Sequence, residues 1–149
     1  MEIHSLRLTV GEQELNELAA ELPSGQSAVE NLRVRLTPEG IVVVGEYPSM
    51  LMRMAFETLW EVKGTGSVVQ ARLAVLKVSG VPAGMLRGVL LKTIRDLLAR
   101  EPGVRVEDDT IHVDLSRHPA VRKLRLRINL TAVRCSMGNL AIEADPTVA

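Results

Sequence analysis

Histidine, carboxylate and thiol side chains are the groups through which a chain of this size would hold a metal or attack a substrate, and here they are scattered. His112, Asp114 and His118 form the one grouping of metal-ligand residue types. On a strand His112 and Asp114 share a face, but no ordered fourth ligand joins them, so exposed polar residues explain the cluster and no metal is expected. Cys135 is the single cysteine. Nothing in the sequence places a histidine or lysine beside it, which reads as a buried or half-exposed thiol and not a nucleophile. No serine sits in a G-x-S-x-G elbow, no G-x-G-x-x-G loop awaits a phosphate, and no paired carboxylates fall on a concave face. The chain reads as non-enzymatic, with no catalytic residue and no cofactor.

The remaining chemistry is apolar binding. Tyr47, Phe56 and Trp60, which are all the aromatic residues, and three of the six methionines lie within residues 47–60. Met50, Met52, Met54, Phe56, Trp60 and Val62 share one parity, so a strand puts them on one face and leaves Arg53, Glu57, Glu61 and Lys63 on the other. Methionine is flexible and polarizable, and such a face suits an irregular core or an adaptable ligand surface. A wide stripe of Met85, Leu86, Val89, Leu90, Ile94, Leu97 and Leu98, following Pro82, predicts an amphipathic helix over 82–100 to cover it. Lys123, Arg125 and Arg127, with Arg122, make a short basic row that could meet an anionic headgroup or membrane surface. A solvated strand face accounts for the same row.

Elements to position these groups follow from periodicity. Leu6, Leu8 and Val10 alternate as a strand, and Leu15, Leu18, Ala19 and Leu22 mark a short helix from Glu12. A loop over 23–27 leads to Leu32, Val34 and Leu36 on a second strand, which turns at Thr37-Pro38-Glu39-Gly40 into Ile41-Val42-Val43-Val44. Residues 50–78 form a long hairpin turning at Lys63-Gly64-Thr65-Gly66, with a bulge or a change of exposed face where Leu76 and Val78 change parity from Val75. Val104 and Val106 pair with Ile111 and Val113 across the turn Glu107-Asp108-Asp109. Leu124, Leu126, Ile128 and Leu130 make an inward-facing strand, which turns at Met137-Gly138-Asn139 into Leu140-Ala141-Ile142. A single α+β domain over 1–144 and a loose tail over 145–149 result.

Composition narrows the partners. A chain of 149 residues can bury roughly 70% of the surface its unfolded form exposes, so a core needs no disulfide or metal. Its 18 basic and 18 acidic residues cancel, leaving no field to hold nucleic acid. The N-terminus Met1-Glu2-Ile3-His4 lacks the basic and apolar regions of a signal peptide, and the longest apolar stretch carries Arg87, Lys92, Arg95 and Asp96. A cytoplasmic protein with at most peripheral membrane contact is expected.

The order of Leu6-Arg7-Leu8-Thr9-Val10-Gly11-Glu12-Gln13-Glu14-Leu15, then Leu32-Arg33-Val34-Arg35-Leu36-Thr37-Pro38-Glu39-Gly40-Ile41-Val42-Val43, then a hairpin and the Pro82 helix, resembles the bacterial LmeA-like phospholipid-binding family. The similarity continues through Gly103-Val104-Arg105-Val106 and Leu126-Arg127-Ile128-Asn129-Leu130. The resemblance implies half of a tubular lipid-binding fold, a curved antiparallel sheet wrapped around one long helix in the C-terminal half, with a short N-terminal helix and lipid held between sheet and helix. Exported or anchored members are usual in that family, and this chain departs by lacking a signal sequence. The expectation is a non-enzymatic carrier or sensor whose ligand is lined by Met50, Met52, Met54, Phe56, Trp60, Leu86, Val89, Leu90 and Ile94. The alternative is an interaction module, with the stripe purely core, that docks a protein partner or forms a homodimer through strand edges.

Overall fold

The structure is a computed structural model that describes residues 4–21, 29–48, 53–79 and 83–148. Nine strands among them build two antiparallel sheets. β1 (Leu6–Gly11) leads into helix α1 (Glu12–Ala20), and β2 (Glu30–Thr37), β3 (Gly40–Pro48), β4 (Arg53–Thr65) and β5 (Val68–Val78) form successive hairpins. Helix α2 (Ala83–Leu98) precedes β6 (Val104–Glu107) and β7 (Thr110–Asp114), a 3₁₀ turn at Leu115–Arg117 and the short helix α3 (Pro119–Lys123). β8 (Leu126–Ser136) and β9 (Asn139–Val148) complete the chain. The strand orders are β2-β3-β4-β5-β7-β6 and β1-β9-β8.

This corrects the expected α+β fold. Among the described residues the protein is mostly β-sheet, and no long C-terminal-half helix is wrapped by a sheet. α2 has 16 residues, roughly 24 Å of helix at 1.5 Å per residue, and it lies on part of one face of the six-stranded sheet. The period-2 stripe of β4 holds, whereas Leu8 of the first stripe is 54% exposed, and the stripes serve two packed layers: hairpin length and local periodicity leave open how strands group into sheets. The other part of that face is covered by the three-stranded sheet, so β4 uses one parity for two neighbours. Its Phe56 packs with Val29, Leu86 and Leu90. Further along, Val62 joins Leu36, Leu140 and Ile142 in a second core cluster with Val10, Leu15 and Val133.

Close approach of the sheets depends on Gly64. A Cβ there would meet Val133 Cγ2 at 2.8 Å and Leu130 Cδ1 at 3.1 Å. The expected turn at 63–66 therefore lies further on, at Gly66 and Ser67, with Thr65 in register with Val68. The bulge on β5 is at Ala74: Leu59 pairs with Val75 and Trp60 with Leu73. Leu73 before it and Leu76 and Val78 after it thus face the same side, and Val75 turns outward at 40% exposure. Residues 145–148, read as a tail, are the end of β9, paired with β8 as far as Leu126 and Val148.

α1 seals an edge. Asn16 Nδ2 donates to the Val34 carbonyl at 2.8 Å, Asn16 Oδ1 accepts from the Val34 amide at 2.7 Å, and Glu12 Oε1 accepts from the Leu36 amide at 2.8 Å. These side chains satisfy β2 backbone groups that an edge strand would otherwise offer to another chain.

Candidate functional site

Between the inner face of the six-stranded sheet and α2 lies a cavity of about 280 Å³. The sheet contributes Leu32 and Val34 from β2, Ile41 and Val43 from β3, Phe56, Thr58 and Trp60 from β4, Ala71 from β5 and Ile111 from β7. Leu90, Ile94, Leu97 and Leu98 of α2 lie across from them, and Ala19 of α1 and Val29 complete the lining. Strand alternation makes this possible: residues two apart share a face, so five neighbouring strands present a continuous apolar surface. Ile41, Val43, Ala71, Ile94 and Ile111 stay half-buried although they point into the lining, as side chains do when the space they border is unfilled.

Only two of the fifteen lining residues carry polar side-chain atoms, and they satisfy each other. Trp60 Nε1 donates to Thr58 Oγ1 at 2.8 Å, and Thr58 Oγ1 donates to the Val43 carbonyl at 2.9 Å. Thr58 is 1% exposed and Trp60 4%. Both groups are spent within the sheet, and none remains to orient a polar ligand. The lining contains no charge.

Of the nominated residues, Phe56, Trp60, Leu90 and Ile94 line the cavity. Leu86 is buried beside Phe56 and Leu90 in the adjoining core. Met54 is buried as well but lies outside the lining, and Val89 is 37% exposed. Met50 and Met52 lie outside the described residues, as do Pro82 and the 23–27 loop. Thr58 was missed, although its parity with Phe56 and Trp60 marks it, because a hydroxyl in an apolar stripe reads as an interruption. Ala19, Ala71 and Ile111 come from elements whose approach no local pattern reveals.

The basic row is dispersed. Lys123 ends α3, Arg125 adopts φ 53° in the turn after it, and Arg127 lies on β8. All three are exposed and none lines the cavity. The expected strand start at Leu124 fails because α3 ends at Lys123 and a turn over 124–125 separates it from β8, and Leu124 is 55% exposed.

The other candidate groups have structural partners. Asp114 Oδ1 accepts from Ser67 Oγ at 2.8 Å, Ser116 Oγ at 2.6 Å and the Ser116 amide at 3.0 Å. Burial pushes its carboxyl up, but the Ser116 and Ser67 hydrogen bonds and the Arg117 charge outweigh that and hold it below the usual range. It caps the 3₁₀ turn. His112 Nε2 is 3.8 Å from Glu107 Oε2, and the described residues contain no grouping able to hold a metal ion. Burial raises the Cys135 thiol above its ordinary value, which lowers its thiolate fraction. No helix among the described residues is long and apolar enough to cross a membrane.

Compared with protein-family models, with curated proteins and with solved structures, the chain matches none.

Proposed function

We propose that the protein binds an apolar molecule, or the apolar chain of a larger one, in the cavity between the six-stranded sheet and α2, and acts as a carrier or sensor without catalysis. One observation carries this reading: a cavity of about 280 Å³ whose two polar side-chain groups are bonded within the sheet. An apolar cavity of about 150 Å³ stays dry and accepts benzene, so by proportion roughly a dozen carbon atoms fit here. A phospholipid, the ligand class that the resemblance suggests, would enter with part of one chain and leave its headgroup outside. Cytoplasmic residence belongs to the same proposal.

Trp60, the single tryptophan, lines the cavity and is its own reporter. Titration with medium-chain alcohols of graded length should change Trp60 emission saturably, with affinity rising to about ten to twelve carbons and then levelling. Ala71→Leu places extra carbons in the cavity and should abolish the change while the protein stays folded by circular dichroism. Native mass spectrometry of the protein purified from cells, followed by organic extraction, would identify a resident ligand. A clean apo mass, no Trp60 response and a concentration-dependent size would favour the interaction module that forms a homodimer.

A further inference from the structure

The strands that border the cavity turn their alternate residues to the opposite surface of the sheet, where a second pocket of about 310 Å³ lies. Gln70 on β5, His112 on β7 and Arg105 on β6 are in register on three adjacent strands, and all three line it, with Asp114 and Arg117. Gly103 opens β6 here at φ 78°, where a Cβ would meet the Asp114 carbonyl at 2.8 Å. Only glycine lets β6 start this close to β7 and so sets Arg105 beside His112.

The pocket holds more donors than acceptors. Asp114 Oδ1 is engaged by three donors from Ser67 and Ser116. Glu107 Oε1 is 3.2 Å from Arg105 Nε, which offsets one cation. Lys63 is in register with Gln70 on the next strand and is exposed. The Gln70 amide makes no hydrogen bond among the described residues. Of the charged residues that line the pocket, Arg105 and Arg117 set against Asp114 leave one positive charge in excess, and Lys63 and Glu107 on the neighbouring strand positions offset each other.

We infer that this pocket is a binding site for a small organic carboxylate, held by the Arg105 and Arg117 guanidinium groups and the Gln70 amide with its carbon body against Val68. A single excess charge balances a monoanion and not a phosphate dianion, and the guanidinium fork matches the two oxygens of a planar carboxylate. The site lies across the sheet from the apolar cavity and does not depend on the function proposed for it.

Butanoate is the probe, with butanol as its uncharged twin and inorganic phosphate as the competing anion, in phosphate-free buffer at low ionic strength. Amide chemical shifts should move saturably with butanoate at residues 68–70, 103–105 and 112–117. The double variant Arg105→Gln, Arg117→Gln should weaken binding by roughly tenfold or more, the loss expected for charge-assisted hydrogen bonds. Arg7→Gln, on the other sheet, should leave it unchanged. Gln70→Leu keeps every charge and should weaken binding severalfold, which provides a reading even if the double variant does not fold. Butanol or phosphate binding as tightly as butanoate at these amides, or butanoate binding unaltered in Gln70→Leu and the double variant, would overturn the assignment.

Discussion

Neighbouring residues on β5 and β7 serve two surfaces of opposite chemistry. Ala71 and Ile111 border a cavity with no free polar group, while Gln70 and His112, one residue away on the same strands, floor a pocket flanked by Arg105 and Arg117. The period of two makes the sheet a partition one residue thick. On the inner side the lining is apolar, so a polar error there meets a desolvation cost; on the outer side water screens charges and ion pairs are worth little. The inner surface is therefore where stability and apolar binding are coupled. The outer surface can change its charges with little effect on the fold.

The strongest test of that contrast is a polar substitution on each side. Leu90→Asp sets an unpaired carboxylate among Phe56, Leu86 and Val29 and should cost about 3 to 5 kcal/mol, or prevent folding. Gln70→Leu on the outer side should change stability by less than about 0.5 kcal/mol. Urea denaturation measures both, and similar losses would break the comparison. Thr58→Val tests the inner side more finely. It keeps shape and removes the acceptor of the Trp60 indole N–H, so a buried donor is left unpaired at a cost of about 1 to 3 kcal/mol. A neutral result would mean that the indole finds water, and hence that the cavity is wet.

A smaller effect than that of either inner substitution is expected for a carboxylate on the outer side. Asp114 has a folded-state pKa lowered by the Ser116 and Ser67 hydrogen bonds and Arg117 against the raising effect of burial. Its contribution is therefore complete above the unfolded value near 3.9 and is lost as pH falls through the folded value. Asp114→Asn should lower stability by about 1 kcal/mol at pH 7. The difference from the wild type should narrow in urea titrations repeated near pH 3. A gap that widens in acid would reverse the assigned sign.

Much of the inner surface was legible. Strand alternation put Phe56 and Trp60 on one face, and helical spacing put Leu90 and Ile94 on the face that meets them. The bulge after Leu73 left a sign in the parity change between Val75 and Leu76, which fitted a change of exposed face equally well and kept Val75 on the wrong side. What misled was class and not periodicity: a wide apolar helix after a long hairpin suggested a sheet wrapped around a helix, whereas the same face is shared with a second sheet. Lys123, Arg125 and Arg127 looked like one strand row, yet a five-residue helix and a residue with positive φ separate them. Gln70, His112 and Arg105 stood in three separate hairpin arms, and nothing local to any of them announced a pocket.

By itself the sequence determined most of the hairpins and the apolar character of the β4 and α2 faces. Those depend on residues within a few positions of one another, where side-chain direction is fixed by backbone geometry. Only the tertiary structure decided that β7 inserts between β5 and β6, that Gly64 lets β8 close on β4, and that space remains beneath Trp60. Those outcomes depend on how distant surfaces fill volume together, and volume is a property of the assembled layers that no single segment encodes.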